Sequence, residues 1–123
     1  MRFGDTDAYG HVNNASFAAY AEVARLDFLR CLGKSVRSLI LASLTIDFRR
    51  QLSYGESVQI DTWVDRFGRT SITLGQSIQG DNKLAADVRA VVVHFDSATG
   101  HATELTSEIR DALASFKKKR VDE

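Results

Sequence analysis

The stretch GDTDAYGHVNNASFAAYAEVARLDFL, residues 4–29, decides the fold because it joins a polar, acidic segment to a long apolar helix pattern. In its second part, apolar side chains recur at three- and four-residue steps, which predicts a helix over residues 15–32 with one apolar face. That face consists of Phe17, Tyr20, Ala21, Ala24, Phe28 and Cys31. Asn13 or Asn14 would cap its first turn, and Gly33 would end it. Because few of its positions are polar, we expect a helix covered on most sides.

After Gly33 the apolar period changes from nearly four to two, which predicts four strands. The strands lie around residues 44–48, 58–64, 72–74 and 84–95. The turns between them lie at residues 53–56, 67–69 and 80–82. Short turns make neighbouring strands antiparallel, and the run 88–93 is apolar on both faces, as in a strand covered on both sides. A turn at 98–101 precedes a short second helix, which begins near Thr106 with Thr106 or Ser107 as its cap.

This order of elements predicts an α+β fold in a single domain over residues 1–123, in which a long central helix packs on a curved antiparallel sheet and a short helix ends the chain. The end of a further strand is expected at residues 2–4. One sheet with one helix leaves a face and its edges without cover. We therefore expect a second copy of the chain to supply that cover.

The composition excludes several classes of protein. With 16 basic and 16 acidic residues, the net charge is zero, which does not suit a nucleic-acid partner and does not oppose self-association. No apolar run reaches the roughly 20 residues of a membrane span, and the N-terminus lacks the pattern of a secretory signal. The single cysteine excludes a disulfide within the chain and agrees with a cytoplasmic location.

The polar segment before the helix suggests a chemistry. The first amides of a helix have no partner inside it and lie at the positive end of its dipole. Such amides stabilise the oxygen that becomes negative during acyl transfer. Gly10 would let a substrate approach the backbone closely, and Asp7, seven residues before Asn14, could act on the same carbonyl as base or nucleophile. Capping and turn formation are the alternative role of these residues.

The same segment resembles the start of the 4-hydroxybenzoyl-CoA thioesterase-like family of acyl-CoA thioesterases. The matching residues are Asp5-Thr6-Asp7, Gly10-His11-Val12-Asn13-Asn14 and Glu22-Val23-Ala24-Arg25. Residues 49–78 and 85–105 also fit, so the resemblance covers nearly the whole chain. It implies the hotdog fold, in which an antiparallel sheet wraps a long central helix, and a homodimer or homotetramer with active sites at the dimer interface.

The resemblance also implies an activity and its residues. The reaction would be hydrolysis of an acyl-CoA thioester to a free acid and CoA, in the cytoplasm and without a metal or organic cofactor. The family's catalytic carboxylate falls on Asp7, and the amide that polarises the thioester carbonyl falls near Asn14. Several relatives have His or Tyr at the position of Asn14, which leaves the choice of acyl group open. Asp5 is interpreted as structural.

Further residues are assigned by their position in the motif and in the strands. Gly10, His11 and Val12 are predicted to contact substrate, and Thr70 and Ser71 to line the pantetheine channel. His11 could instead contact Asp5, and a metal bound by Asp5, Asp7 and His11 is a minor alternative.

Other side chains are expected to be structural or solvated. His94 is interpreted as a hydrogen-bonded structural histidine, and Cys31 as a buried, inert thiol. The basic run 117–120 is interpreted as a solvated helix end. Several arginines near strand ends could meet the phosphates of CoA, although a solvated surface role is the default for each. They are Arg49, Arg50, Arg66 and Arg69.

Two rival functions remain at this point. One is a hydratase or dehydratase on the same fold, although the His and Asp pair of such enzymes is not found here. The other is a module that binds acyl-CoA without hydrolysing it. Asp7 favours the hydrolase, because binding alone does not require a carboxylate beside the thioester.

Overall fold

The computed structural model describes residues 13–117 of the chain. Helix α1 (Asn14–Phe28) continues into a 3-10 segment (Leu29–Ser38), and helix α2 (Ser107–Ala114) lies near the end of the described chain. Five strands lie between them: β1 (Leu39–Phe48), β2 (Val58–Phe67), β3 (Ser71–Gly80), β4 (Lys83–Asp96) and β5 (His101–Ala102). The strand expected at residues 2–4 lies outside the described residues.

The strands form one sheet in the order β1-β4-β3-β2, and β5 pairs antiparallel with β4. The four long strands confirm the sequence prediction, and so do the short turns that join β2 to β3 and β3 to β4. The expectation that the turn at residues 53–56 pairs β1 with β2 is wrong, because β1 pairs with β4 and β2 lies at the other edge of the sheet. Asp81 and Asn82 both have positive φ, which lets two residues join β3 to β4 in a tight hairpin. The two-residue strand β5 was not predicted, because two residues are too few to show a period.

Chain contacts group the residues into two compact units, and each is described by itself. Unit 1 contains the described residues up to Phe28 together with Thr45–Thr62 and Gln76–Val88. Unit 2 contains Leu29–Leu44, Trp63–Gly75 and the described residues from Arg89 onward.

The core of unit 1 joins the inner face of α1 to the sheet. Phe17 and Ala21 on the helix pack into one apolar cluster with buried residues of the strands and of the loop after β1. The strand and loop residues are Leu52, Ile78, Ala85, Ala86 and Val88. The Phe17 ring also meets the Phe48 ring of β1 edge to face, with the centroids 5.2 Å apart. Burial of this apolar face holds α1 in place, as the sequence pattern predicts. The expectation that α1 is covered on most sides is wrong for the described chain, since Val23 and Leu26 are 69% and 55% exposed.

In unit 2, helix α2 contacts the 3-10 segment, is capped at its start and is tied to the β2–β3 turn by Arg110. The Thr106 hydroxyl accepts a hydrogen bond from the Ile109 amide at 3.1 Å, which confirms Thr106 as the cap. Arg110 donates to the Gly68 carbonyl at 2.7 Å and lies over the Phe67 ring, which ties α2 to the β2–β3 turn. Ile109 and Leu113 are buried.

The sequence prediction for the end of α1 is wrong in part. The α-helix ends at Phe28 rather than at residue 32, and Gly33, with φ +58, breaks the 3-10 segment that follows. A 3-10 helix has three residues per turn, so a face extrapolated at 3.6 residues per turn no longer applies beyond Phe28. Cys31 is consequently exposed, and the prediction of a buried thiol is wrong.

The prediction that Lys117 belongs to a basic helix end is also wrong. Helix α2 ends at Ala114 with Ser115 as its C-cap. The Val64 amide of β2 donates to the Phe116 carbonyl at 3.0 Å, and Val64 forms a parallel bridge with Lys117. The chain therefore leaves the helix early enough to lie along the outer edge of β2. Residues 118–120 of the basic run lie outside the described residues.

The loop between β1 and β2 is held by an ion pair. Arg50 donates to both Glu56 oxygens, at 2.9 and 3.3 Å, and to the Gly80 carbonyl at 2.5 Å. Glu56 also accepts from the Ser53 amide at 2.6 Å. The Arg50 hydrogen bond, followed by that from Ser53, lowers the pKa of Glu56 below its ordinary value. The pair thus fastens this loop to the end of β3.

We expect Glu56→Gln to lower the free energy of unfolding by about 1–2 kcal/mol at pH 7, since it removes a charge-assisted pair whose Glu56 side chain is 15% exposed. A carboxyl whose pKa is lowered on folding stabilises above its unfolded-state pKa and loses that effect as pH falls through the folded-state value. Urea unfolding from pH 7 to 3 should show the difference from the parent closing below about pH 4. Glu104→Gln, in the exposed pair with Arg69, is the matched control and should change little.

Trp63 on β2 lies against Gly75 on β3. A Cβ atom built at Gly75 would lie closer to the indole Nε1 than any real contact allows. The same Nε1 donates to Asp65 at 2.9 Å, which fixes the ring's orientation. Gly75 is therefore required by the close approach of the indole.

Gly75→Ala should displace Trp63 and lower the free energy of unfolding by about 1–3 kcal/mol through overpacking. Because Trp63 is the only tryptophan of the chain, its fluorescence spectrum reports the displacement directly. Thr73→Ala, on the same strand, is the matched control. An unchanged emission maximum and midpoint in Gly75→Ala would contradict the packing described.

Candidate functional site

Helix α1 begins with a side-chain cap supplied by Asn13. Its Oδ1 accepts hydrogen bonds from the Ser16 amide at 3.0 Å and from the Ser16 hydroxyl at 3.2 Å. The Ser16 amide also reaches the Asn13 carbonyl at 3.1 Å. Of the two asparagines that the sequence offers, Asn13 is thus the cap, and Asn14 is the first residue of the helix.

Within residues 13–117, two backbone donors at this cap have no acceptor. The amides of Asn14 and Ala15 precede the first residue that can find an acceptor inside the helix, and Asn13 uses its side chain on Ser16 instead. Both residues are exposed. Since the helix dipole adds partial positive charge here, the start of α1 can accept a developing negative charge on an oxygen atom.

The acidic and glycine-containing part of the predicted site lies outside the described residues. It comprises Asp7, Gly10, His11 and Val12, together with Asp5. Their roles stay predictions. Asp7 lies six residues before the cap Asn13.

Thr70 and Ser71 lie in unit 2, at the turn that leads from β2 into β3. The Ser71 carbonyl accepts from the Gly68 amide at 2.7 Å, and the Thr70 carbonyl accepts from the His94 amide at 2.8 Å. Both residues are half-buried. Their backbones hold the turn, and their predicted contact with pantetheine stays a prediction.

His94 has the structural role that the sequence analysis assigned to it. Its ring Nδ1 lies 2.9 Å from the Glu104 carbonyl oxygen. Its amide and carbonyl bond to Thr70 and Thr103 in the neighbouring segments. These bonds link β4 to the segments on both of its sides.

Three arginines considered for CoA phosphates have carboxylate partners. Arg49 pairs with Asp87 at 2.9 Å and Arg69 with Glu104 at 3.0 Å, both at the surface. Exposed pairs of this kind contribute little to stability, so these guanidinium groups could exchange a carboxylate for a phosphate. Arg50 also has a carboxylate partner but is not available for such an exchange, because its bonds to Glu56 and to the Gly80 carbonyl hold the loop between β1 and β2.

Sequence reasoning missed a buried polar network in unit 1. Gln76 on β3 donates to the Ala21 carbonyl of α1 at 3.0 Å and to the Thr62 hydroxyl at 3.1 Å, and it accepts from Arg25 at 3.3 Å. Gln76 is 1% exposed and Arg25 is 5% exposed. The sequence did contain a sign of this network, because Gln76 is a polar residue on the otherwise apolar strand face of Ile72, Leu74 and Ile78.

No helix of the described chain combines the length and apolar character that crossing a membrane would require.

Comparison with known proteins gives the family. A family model described as the thioesterase-like superfamily matches residues 1–113. Long-chain acyl-CoA thioesterase FadM of Escherichia coli (strain K12) is 25% identical over an alignment of 120 residues that covers 91% of each chain.

Solved structures agree with this match. A predicted thioesterase from Bacillus stearothermophilus superposes with a TM-score of 0.90 at 26% identity, over 98% of this chain and 94% of the other. A thioesterase from Thermus thermophilus, complexed with coenzyme A and Zn, gives a TM-score of 0.88 at 25% identity, over 98% and 92% of the two chains. The hotdog fold and the thioester hydrolase class predicted from the sequence are confirmed, and the chain belongs to the thioesterase-like superfamily.

Proposed function

We propose that this protein is an acyl-CoA thioesterase that hydrolyses its substrate at the start of α1. The observation that carries the proposal is the pair of amides at Asn14 and Ala15, which the Asn13 cap leaves available. The membership of the superfamily and the similarity to a long-chain acyl-CoA thioesterase support the reaction class. A similar structure that holds coenzyme A supports CoA as the thiol.

The chemistry requires few groups. Water adds to the thioester carbonyl, whose oxygen becomes negative and accepts hydrogen bonds from the helix amides. The carbon–sulfur bond then breaks, the CoA sulfur takes a proton, and a carboxylic acid remains. In our proposal Asp7 accepts the proton of the attacking water, or attacks the carbonyl itself to give an anhydride that water then hydrolyses.

Two substitutions test these roles separately. Asp7→Asn should nearly abolish thiol release from an acyl-CoA panel, because an amide is neither base nor nucleophile. Asn14→Pro removes one amide while the helix can still form, since proline is tolerated at the first helical position, and kcat should fall about 100-fold or more. Release is followed with a thiol-reactive dye.

Asn14→Ala is the matched control, because it keeps the amide and removes only the side chain. It should retain turnover. Equal turnover in Asn14→Pro and Asn14→Ala would remove the amide from the mechanism. Binding of acyl-CoA by the parent without any thiol release would favour the binding module instead, and hydration of an unsaturated acyl-CoA would favour the hydratase.

We also propose that residues 1–123 form one cytoplasmic hotdog domain that works as a homodimer or homotetramer. Strand β1 supports the oligomer, since it is one of the two edge strands among those described and carries exposed large apolar side chains. They are Ile40, Leu41, Leu44 and Phe48. Apolar side chains so concentrated on an edge strand are typical of an interface.

The oligomer can be tested on this strand. The double substitution of Ile40 and Leu44 by Glu should lower the molar mass in sedimentation velocity to that of one chain, because it places charges in the interface. Gln59→Glu, at an exposed position of β2, is the control and should leave the mass unchanged. A parent that sediments as a single chain would refute the proposal.

A further inference from the structure

The buried network of Arg25, Gln76 and Thr62 links the sheet to the backbone of α1. The Gln76 Nε2 atom reaches the Ala21 carbonyl oxygen at 3.0 Å, and the Arg25 guanidinium donates to the Gln76 Oε1 atom at 3.3 Å. All of these groups lie in unit 1. The helix is thus held to β3 by directed bonds as well as by apolar packing.

The residue type at position 76 follows from its partners. The Ala21 carbonyl can only accept a hydrogen bond, and a guanidinium can only donate. An amide side chain offers both a donor and an acceptor, so it can satisfy the two at once. The partners also fix the amide's orientation, because the opposite one would place Nε2 against the guanidinium.

Arg25 is an unusual residue to find on the buried face of a helix. Its side chain is nearly sealed from solvent, and among the described residues it has no carboxylate within ion-pair distance. Burial lowers its pKa, and the charge of Glu22 on the preceding turn of α1 opposes this shift. A buried charge without an ion-pair partner carries a desolvation cost, so stability alone gives little reason for an arginine here.

We propose that Gln76, oriented by Arg25, is a positioning residue for the reaction and sets where the amides at the start of α1 lie relative to the substrate. This inference rests on the proposed function. Ala21 lies seven residues after Asn14, roughly 10 Å along the helix axis. Over two turns a helix transmits a shift or rotation to its end. A displacement of about 1 Å at a reacting carbonyl can cost 100-fold in rate.

Gln76→Glu is the first test. A glutamate keeps the size of the side chain and its contact with Arg25, but its carboxylate repels the Ala21 carbonyl and cannot donate to it. We expect kcat to fall about 100-fold with KM changed less than about threefold, because the amides stabilise the transition state more than the bound substrate. Gln79→Glu, the same change on the opposite face of β3, is the matched control and should leave both constants unchanged.

Arg25→Met is the second test and separates positioning from stability. Without the guanidinium, the Gln76 amide loses the partner that orients it, so kcat should fall at least about tenfold. The thermal midpoint should change little, because removing the buried charge offsets the loss of the hydrogen bond to Gln76. Arg25→Lys restores a donor and should recover part of the lost kcat. All rates are measured at a temperature where circular dichroism shows each variant folded.

The outcomes are distinct. Parental kcat in either Arg25→Met or a folded Gln76→Glu would overturn the inference, and so would a loss of kcat in Gln79→Glu equal to that in Gln76→Glu. Hydrogen exchange of the α1 amides gives a readout that does not depend on activity, and exchange should quicken in Gln76→Glu and Arg25→Met but not in Gln79→Glu. A parent without activity on any acyl-CoA would refute the proposed function. The exchange data would then still test whether Gln76 and Arg25 hold α1 in place on β3.

Discussion

The contact of α1 with the sheet is the constraint on which the rest of unit 1 depends. Ala21 has no exposed surface, and Phe17 is almost as deeply buried. Because Ala21 is small, the helix backbone lies close enough to β3 for the Gln76 side chain to reach a main-chain carbonyl. The apolar face packs the helix on the sheet, and the hydrogen bonds then fix the rotation of the helix about its axis and its distance from β3. The same bonds therefore determine the position of the first turn of α1.

Much of this architecture could be predicted from local patterns. Alternation indicated the four long strands, and Gly, Asp and Asn marked their turns in a chain without proline. Asn13 and Thr106 could be predicted as caps because their side chains act on amides three residues away. Each of these signals operates over a few residues, which is the range within which sequence patterns are informative.

The features that were missed depend on distant partners or on a change of helix type. Arg25 would normally be placed at a surface, and the residue that accepts its buried hydrogen bond, Gln76, lies 51 residues further along the chain. Cys31 is exposed because the helix tightens after Phe28, which a period of 3.6 residues does not foresee. In the candidate site, the cap and the two amides follow from local sequence. The hydrogen bonds of Gln76 with Ala21 and Arg25, which hold the helix in position, do not.

The segment after α2 has a consequence for how copies of the chain can associate. Phe116 and Lys117 run beside Val64 and occupy backbone groups on the outer side of β2. Where a strand's own chain fills these groups, a neighbouring molecule cannot dock there by strand addition. At Val64 strand addition is therefore blocked, whereas no described strand lies on the outer side of β1, so a second molecule that joined β1 by its own β1 would complete a closed pair instead of starting a filament.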